Sequence, residues 1–332
     1  MIQKVFIGKN EYEIEFNYKM QAQKNSERIL KKIKDEFKFK LGGINDTTLF
    51  APIYLKEKKD SIYILDQIDC AIKVFDDKGR YIRKIGTKGK GPGEFLSPKS
   101  FDIGSNNEIA VIDFQLRRCT IIQDTTIHII SLNYYPEEIV ITDSNKFCVL
   151  QGSDLNDFSF IEEYDYKGNK LKSFQNVFKE FSSNILPSNP TILGRILKYK
   201  KGIIYTPNYF SHFTLFNSEG KVKYSSGTIE KTKIPPLVTI SLKNGKIGMS
   251  GRHLKDFYVT ANASIRKNSL NLFCILKKSR YLDVYSIDSG KYQYSYRIYA
   301  HGSFTRIFFT NNNMFVIRPD GSIDVYRVNY GE

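Results

Sequence analysis

Apolar residues alternate with polar ones in short runs along the whole chain, and a period of two enriched in β-branched and aromatic residues predicts β-strands. The clearest set is Ser61–Asp66, then Ile72-Lys-Val-Phe-Asp76, then Tyr81–Ile85, with Asp77-Lys-Gly79-Arg80 as the turn between the last two. Weaker copies follow at 109–113, 120–122 and 127–130; 146–150, 160–164 and 171–174; 202–205, 213–216 and 222–224; and 270–275, 282–285 and 292–296. A truncated copy ends the chain at 313–317 and 323–326. A further strand precedes each set, at 50–55, 100–103, 138–141, 195–199, 257–260 and 304–309. The equivalent residues Phe75, Ile122, Tyr164, Phe216, Tyr285 and Tyr326 stand 47, 42, 52, 69 and 41 residues apart, blade-sized periods with one insertion between 227 and 251. Four strands repeated six times predict an all-β fold, a six-bladed β-propeller of antiparallel blades.

The sixth copy lacks its fourth strand, because only six residues follow Tyr326. An open sheet edge would leave backbone groups unpaired. Phe37-Lys-Phe-Lys-Leu41 alternates in the right way to fill that place, so the last blade is expected to be closed by this N-terminal strand. Just before it, Ser26 as an N-cap and apolar residues at 29, 30, 33 and 37 predict a short helix packed outside the ring. The expected organisation is an N-terminal extension over 1–36 and a propeller over 37–332, with the first 20 residues either adding an edge strand or loosely held.

Composition excludes disorder: 41% of the residues are hydrophobic and 26% charged. No run approaches the roughly 18 consecutive apolar residues of a membrane-spanning helix. Lys and Arg outnumber Asp and Glu by 50 to 35, a formal +15 that favours acidic partners if it is gathered on one face. The abundance of Lys, Ile, Asn and Tyr would give the same excess by compositional bias alone. Cys70, Cys119, Cys148 and Cys274 are far apart and form no C-x-x-C pair, so zinc-finger, iron–sulfur and thioredoxin readings fail on spacing and buried free thiols are expected.

The pieces Ile62-Tyr-Ile-Leu-Asp66, Ile72-Lys-Val-Phe-Asp-Asp-Lys-Gly79 and Gly89-Lys-Gly-Pro-Gly93-Glu-Phe95 resemble, in this order, the NHL-repeat-like six-bladed β-propellers common in Bacteroidetes. The close match runs over 61–112; later units lack the Gly-Pro-Gly-Glu loop. The resemblance implies the fold and leaves the activity open, since one ring carries many functions. The lipoprotein leader usual in that group is not seen in Met-Ile-Gln-Lys-Val-Phe-Ile-Gly-Lys-Asn. A cytoplasmic protein is expected if Met1 is the native start, and a protein of the cell envelope if a leader has been removed.

The glycine-rich stretch 86–94 follows a strand, but no Gly-Lys precedes Ser or Thr and no helix pattern follows, so it reads as an inter-blade connection rather than a phosphate loop. The rim formed by inter-blade connections and by turns between second and third strands collects Lys88, Lys90, Arg117, Arg118, Arg195, Arg252, His253, Lys277, Lys278, Arg280, His301 and Arg318. Fewer acids share it, among them Asp69, Glu94, Asp154, Asp157 and Asp320. The expectation is a non-catalytic binding module, a monomer without cofactor, whose basic rim takes an acidic peptide, protein or glycan. Nucleic acid would need exposed aromatics between the basic residues; Tyr209, Phe210 and Tyr281 fall near the rim, but there is no Trp. The alternative is a metal-dependent lactonase- or lyase-like enzyme using residues such as Asp66, Asp113, His212, His253 and His301. It requires three or more metal-capable side chains to converge at the channel mouth. The simpler reading of Asp66 and Asp113 is that they cap the turns that follow them.

Overall fold

The computed structural model describes residues 2–7, 10–15, 17–25, 27–152, 161–177, 194–208, 210–230, 238–241, 247–250, 257–276, 279–299 and 302–331. Six antiparallel sheets follow one another around an axis. With strands lettered a to d from the inside outward, blade 1 is Pro52–Lys58, Ser61–Asp66, Ala71–Asp76 and Tyr81–Ile85, and blade 2 is Pro98–Ile103, Ile109–Asp113, Arg118–Gln123 and Thr126–Ser131. Blade 3 is Tyr135–Asp143, Lys146–Gly152, Ile161–Asp165 and Lys170–Ser173, and blade 4 is Gly194–Tyr199, Gly202–Pro207, His212–Phe216 and Val222–Gly227. Blade 5 is Phe257–Arg266, Ser269–Leu276, Ser279–Ser286 and Tyr292–Arg297. Blade 6 is Arg306–Phe309, Asn313–Ile317 and Ile323–Asn329, with Lys34–Leu41 as its strand d. The ring is therefore shut by a strand from the start of the chain, in the register Ile323↔Leu41 to Asn329↔Lys34. The expected six-bladed architecture and its closure stand.

The apolar cores lie between neighbouring blades. Ile112, Cys119 and Ile121 of blade 2 meet Ile139 and Phe147 of blade 3, while Phe315 and Val325 of blade 6 join Leu55, Ile64 and Phe75 of blade 1. All four cysteines are free and buried within these blades.

The helix expected over 26–37 is not formed. Among the described residues there is no helix; Leu30–Lys31 pairs in parallel with strand d of blade 5, and Lys34–Leu41 is the closing strand. Blade edges offer unpaired backbone groups, and satisfying these overrides a 3.6-residue apolar spacing that the fold does not bury. Ile29, Leu30 and Phe37 are about half exposed, at 51%, 55% and 53%. Ser26, the expected cap, lies outside the described residues. Further back, Met20–Gln21 pairs in parallel with strand d of blade 4, and Ile2–Ile7 pairs with Asn10–Glu15 as a separate hairpin. Residues 17–25 and 27–41 thus form a strap along the outer edges of three blades, starting where the Asn17 N–H donates to the Val177 carbonyl beyond blade 3.

Candidate functional site

In five of the six blades the residues that open the inner strand line one cavity. Three inner strands carry proline at their first or second position: Pro52-Ile53, Pro98-Lys99 and, after Tyr135, Pro136-Glu137. In all three the ladder skips the residue after the proline, a β-bulge that re-aims side chains. Ile53, Lys99 and Glu137 are these extra residues, and all three line a cavity of about 260 Å³ at the mouth of the channel. Tyr54, Glu138, Arg195, Asn262, Arg306 and Phe308 complete its wall, so every blade contributes. We call this cavity the cup.

A polar network forms the floor of the cup. Arg195 Nη1 lies 2.6 Å from Glu138 Oε2, while Tyr54 Oη donates to Glu138 Oε1 at 2.6 Å and Ser100 Oγ donates to the same oxygen at 2.7 Å. The Arg195 guanidinium also stands 4.7 Å over the Tyr54 ring. Two residues further along the same strands a second ion pair, Lys56 Nζ to Asp102 Oδ1 at 2.5 Å, lines another cavity of about 280 Å³ at the opposite end of the channel. Glu138 is fully supplied with donors, whereas Glu137 is half-buried beside it. Burial, reinforced by the neighbouring Glu138 carboxylate and opposed by Lys99, raises the Glu137 carboxyl to about 7. The Tyr54 phenol is pushed up by burial and by Glu138.

The rim cations have different fates. Lys88 and Lys90 are exposed on the glycine-rich connection between blades 1 and 2. Arg118 is buried and holds that connection in place, donating to the carbonyls of Lys90 at 2.8 Å, Gly91 at 2.9 Å and Glu94 at 2.6 Å. Arg117 is exposed with φ 47°, and its guanidinium lies 4.0 Å over Tyr135, whose ring stacks on Phe114 at 4.7 Å. Lys99 covers the Phe114 ring at 4.8 Å. Arg195 stands in the cup, Arg280 lies 4.6 Å over Phe304, and Arg318 is paired with Asp324 at 2.7 Å. Arg252, His253, Lys277, Lys278 and His301 lie outside the described residues, as do Tyr209, Asp154 and Asp157. Phe210 is fully buried and Tyr281 lies beneath Arg28 at 4.3 Å, so neither offers an open stacking face.

The rim acids among the described residues are engaged. Asp66 accepts the N–H groups of Phe50 at 2.7 Å, Ala51 at 3.2 Å and Ile68 at 3.1 Å; Asp113 accepts those of Leu96 at 2.7 Å, Ser97 at 3.0 Å and Leu116 at 2.9 Å. Each therefore ties an incoming connection to the turn beyond its own strand, the structural role their place in the repeat suggested. Asp69 pairs with Lys73 at 2.5 Å, Glu94 accepts the Gly91 N–H at 2.7 Å, and Asp320 accepts Ser322 N–H and Oγ–H. His212 is fully buried in strand c of blade 4, where burial holds its imidazole down at about 3. Among the described residues no three His, Cys, Asp or Glu come together in a way that could hold a metal ion.

Sequence reasoning missed Lys99, Glu137, Glu138, Tyr54 and Arg306 because it sought site residues in loops, and these open the inner strands. The proline before each bulge was the available signal.

Several solved structures share this fold. A Bacteroides fragilis protein described as exported aligns with TM-score 0.62 and 16% identity, covering 94% of this chain and 99% of that one. A DUF4221 member from Bacteroides vulgatus gives 0.60 at 9% identity over 90% and 99%, and virginiamycin B lyase from Staphylococcus aureus gives 0.53 at 11% identity over 89% and 99%. Likeness at such identities concerns the fold alone. Among curated proteins none matches the chain. The family described as "6-bladed beta-propeller", DUF5128, matches residues 9–307, nearly the whole ring with its strap, and the chain belongs to that family.

Proposed function

We propose that the protein is a non-catalytic binding module that receives an acidic ligand or protein partner on the face where the cup opens. The observation that carries this reading is the asymmetry of that face. Among the described residues Asp66, Asp69, Glu94, Asp113 and Glu138 are taken up by backbone N–H groups, Lys73 or Arg195, and burial raises Glu137 toward neutrality, while Lys88, Lys90 and Arg117 are exposed around the cup and Arg306 is exposed with Nη1 on the Ile53 carbonyl at 2.7 Å. Cations presented by a rigid ring attract anions over a Debye length and orient them before contact. Arg118 and Arg318 act in this proposal by holding the rim in shape, since their guanidinium groups already serve carbonyls and Asp324. The proposal includes a monomeric ring and kinship with NHL-repeat propellers through 61–112. A metal-dependent lyase- or lactonase-like activity gains support only from fold likeness to virginiamycin B lyase, and the described residues supply no metal-binding group.

The test is the binding of a labelled polyglutamate peptide at several salt concentrations. Affinity is expected to fall steeply with salt, and the triple variant Lys88→Glu, Lys90→Glu, Arg117→Glu is expected to bind at least about tenfold more weakly at low salt, with a flatter salt slope. Equal affinity of variant and parent would overturn the reading.

A further inference from the structure

We infer that the cup and the groove between blades 6 and 1 form one continuous site for an extended peptide, whose C-terminal carboxylate enters the cup. This rests on the reading of that face as the binding face. The groove has a volume of about 360 Å³ and is walled by Phe50, Pro52 and Ile53 on one side and Ile317 and Pro319 on the other. Ile53, Thr305 and Arg306 line both cavities, so the two are contiguous and Arg306 stands at their junction, where its Nη1 donates to the Ile53 carbonyl at 2.7 Å. The cup alone is smaller than the roughly 300–1,000 Å³ of ordinary ligand pockets, and the two cavities together fall within that range. Isoleucine and proline walls with a partly exposed Phe50 suit apolar side chains of a peptide better than the hydroxyls of a glycan.

Charge selects which end enters. Arg195, Arg306 and Lys99 face the cup against two acids, Glu137 and Glu138, and Glu138 is already saturated by Arg195, Tyr54 and Ser100. Blade 5 adds only the uncharged Ala261, Asn262, Phe273 and Ile275. Glu137, held protonated up to about 7, donates a hydrogen bond to an arriving carboxylate instead of repelling it. Capture of a peptide terminus by a pre-formed polar pocket is an established recognition mode. Binding is therefore strongest below neutral pH and weakens as Glu137 ionises.

The experiment uses the full chain, immobilised, and two N-terminally labelled hexapeptide pools randomised over the last four residues, one with free C-terminal carboxylates and one amidated. At pH 6 the free-acid pool is expected to be retained at least tenfold more. Arg306→Gln, which also removes the bond to the Ile53 carbonyl and whose folding is checked by circular dichroism, should reduce its retention to the level of the amide pool. Glu137→Gln should keep retention at pH 6 and abolish its decline between pH 6 and 8. Equal retention of the pools, preference for the amide, or retention of neither overturns the inference. If equal retention is lost in the Lys88, Lys90 and Arg117 triple variant, the basic-rim reading survives without it.

Discussion

Glu137 and Glu138 are adjacent in the chain and differ entirely in circumstance. Glu138 accepts three donors on the floor of the cup, while Glu137 is the extra residue of a bulge and is raised mainly by burial. A carboxyl near 7 in the fold and near 4.5 in the unfolded chain means that the native state binds more protons between those values. Stability contributed at low pH is then lost as pH rises from about 4.5 to about 7. His212 acts in the opposite sense: held at about 3 in the fold against 6.5 outside it, it lets the unfolded chain take up protons as pH falls below 6.5. Urea midpoints should show Glu137→Gln more stable than the parent at pH 8 and indistinguishable at pH 4. A constant difference across pH would show that Glu137 titrates normally. The proline that marks this bulge was legible in the sequence, but its meaning was not, because a bulge shows itself only in the register against the neighbouring strand.

At the scale of the element, the turns between strands c and d do two jobs. Gly79, Gly168, Gly220 and Gly290 all have φ between 70° and 89°, and each lies against the preceding blade's outer strand or the residue just past it. The acceptor that shapes the turn is one residue earlier than the motif suggested: Asp76 receives the N–H groups of Lys78 and Arg80, and Asp165 those of Lys167 and Asn169. Led by the Arg80 N–H at Asp76 and by the Asn169 side-chain amide at Asp165, these hydrogen bonds hold both carboxyls below the usual range. At Gly79 a Cβ would meet the Phe39 ring at 2.8 Å, whereas at Gly168 it would meet an Ile130 methyl at 3.3 Å. Gly79→Ala is expected to lower unfolding free energy by about 1–3 kcal/mol, more than Gly168→Ala, because it adds a clash at the ring closure to the left-handed backbone penalty. Equal losses in the two variants, measured by chemical denaturation, would show that backbone conformation alone decides. Strands and turns of this kind were readable because their period and their glycines are local. The helix misread over 26–37 was not correctable locally, since Leu30 and Lys31 extend only because blade 5 offers them an edge.

For the whole molecule, the strap decides how the ring behaves as a unit. Gln23 Nε2 donates to Ser226 Oγ at 2.9 Å and to the carbonyls of Gly227 at 2.6 Å and Gly290 at 3.0 Å, while its Oε1 accepts the Tyr292 N–H at 2.8 Å. It therefore bridges blades 4 and 5. Arg28 grips Asp283 through two N–H groups at 2.9 Å and Glu230 through a third at 3.0 Å. Asp283 is fully buried, so Arg28→Met leaves a charge without its main partner and is expected to destabilise by about 3–5 kcal/mol. Hydrogen exchange should quicken first in Leu30–Lys31 and strand d of blade 5; uniform quickening around the ring would show that the strap shares no local unit with that blade. Six blades and their closure were inferable from a truncated last repeat, whereas the strap's two-residue pairings leave no periodicity to read. Ring closure by Lys34–Leu41 also fixes an order of events during translation. The closing strand is made long before its partner and must stay unpaired, with Phe37 and Phe39 uncovered, until Ile323–Asn329 has followed, so the ring cannot seal on a nascent chain that stops short of blade 6.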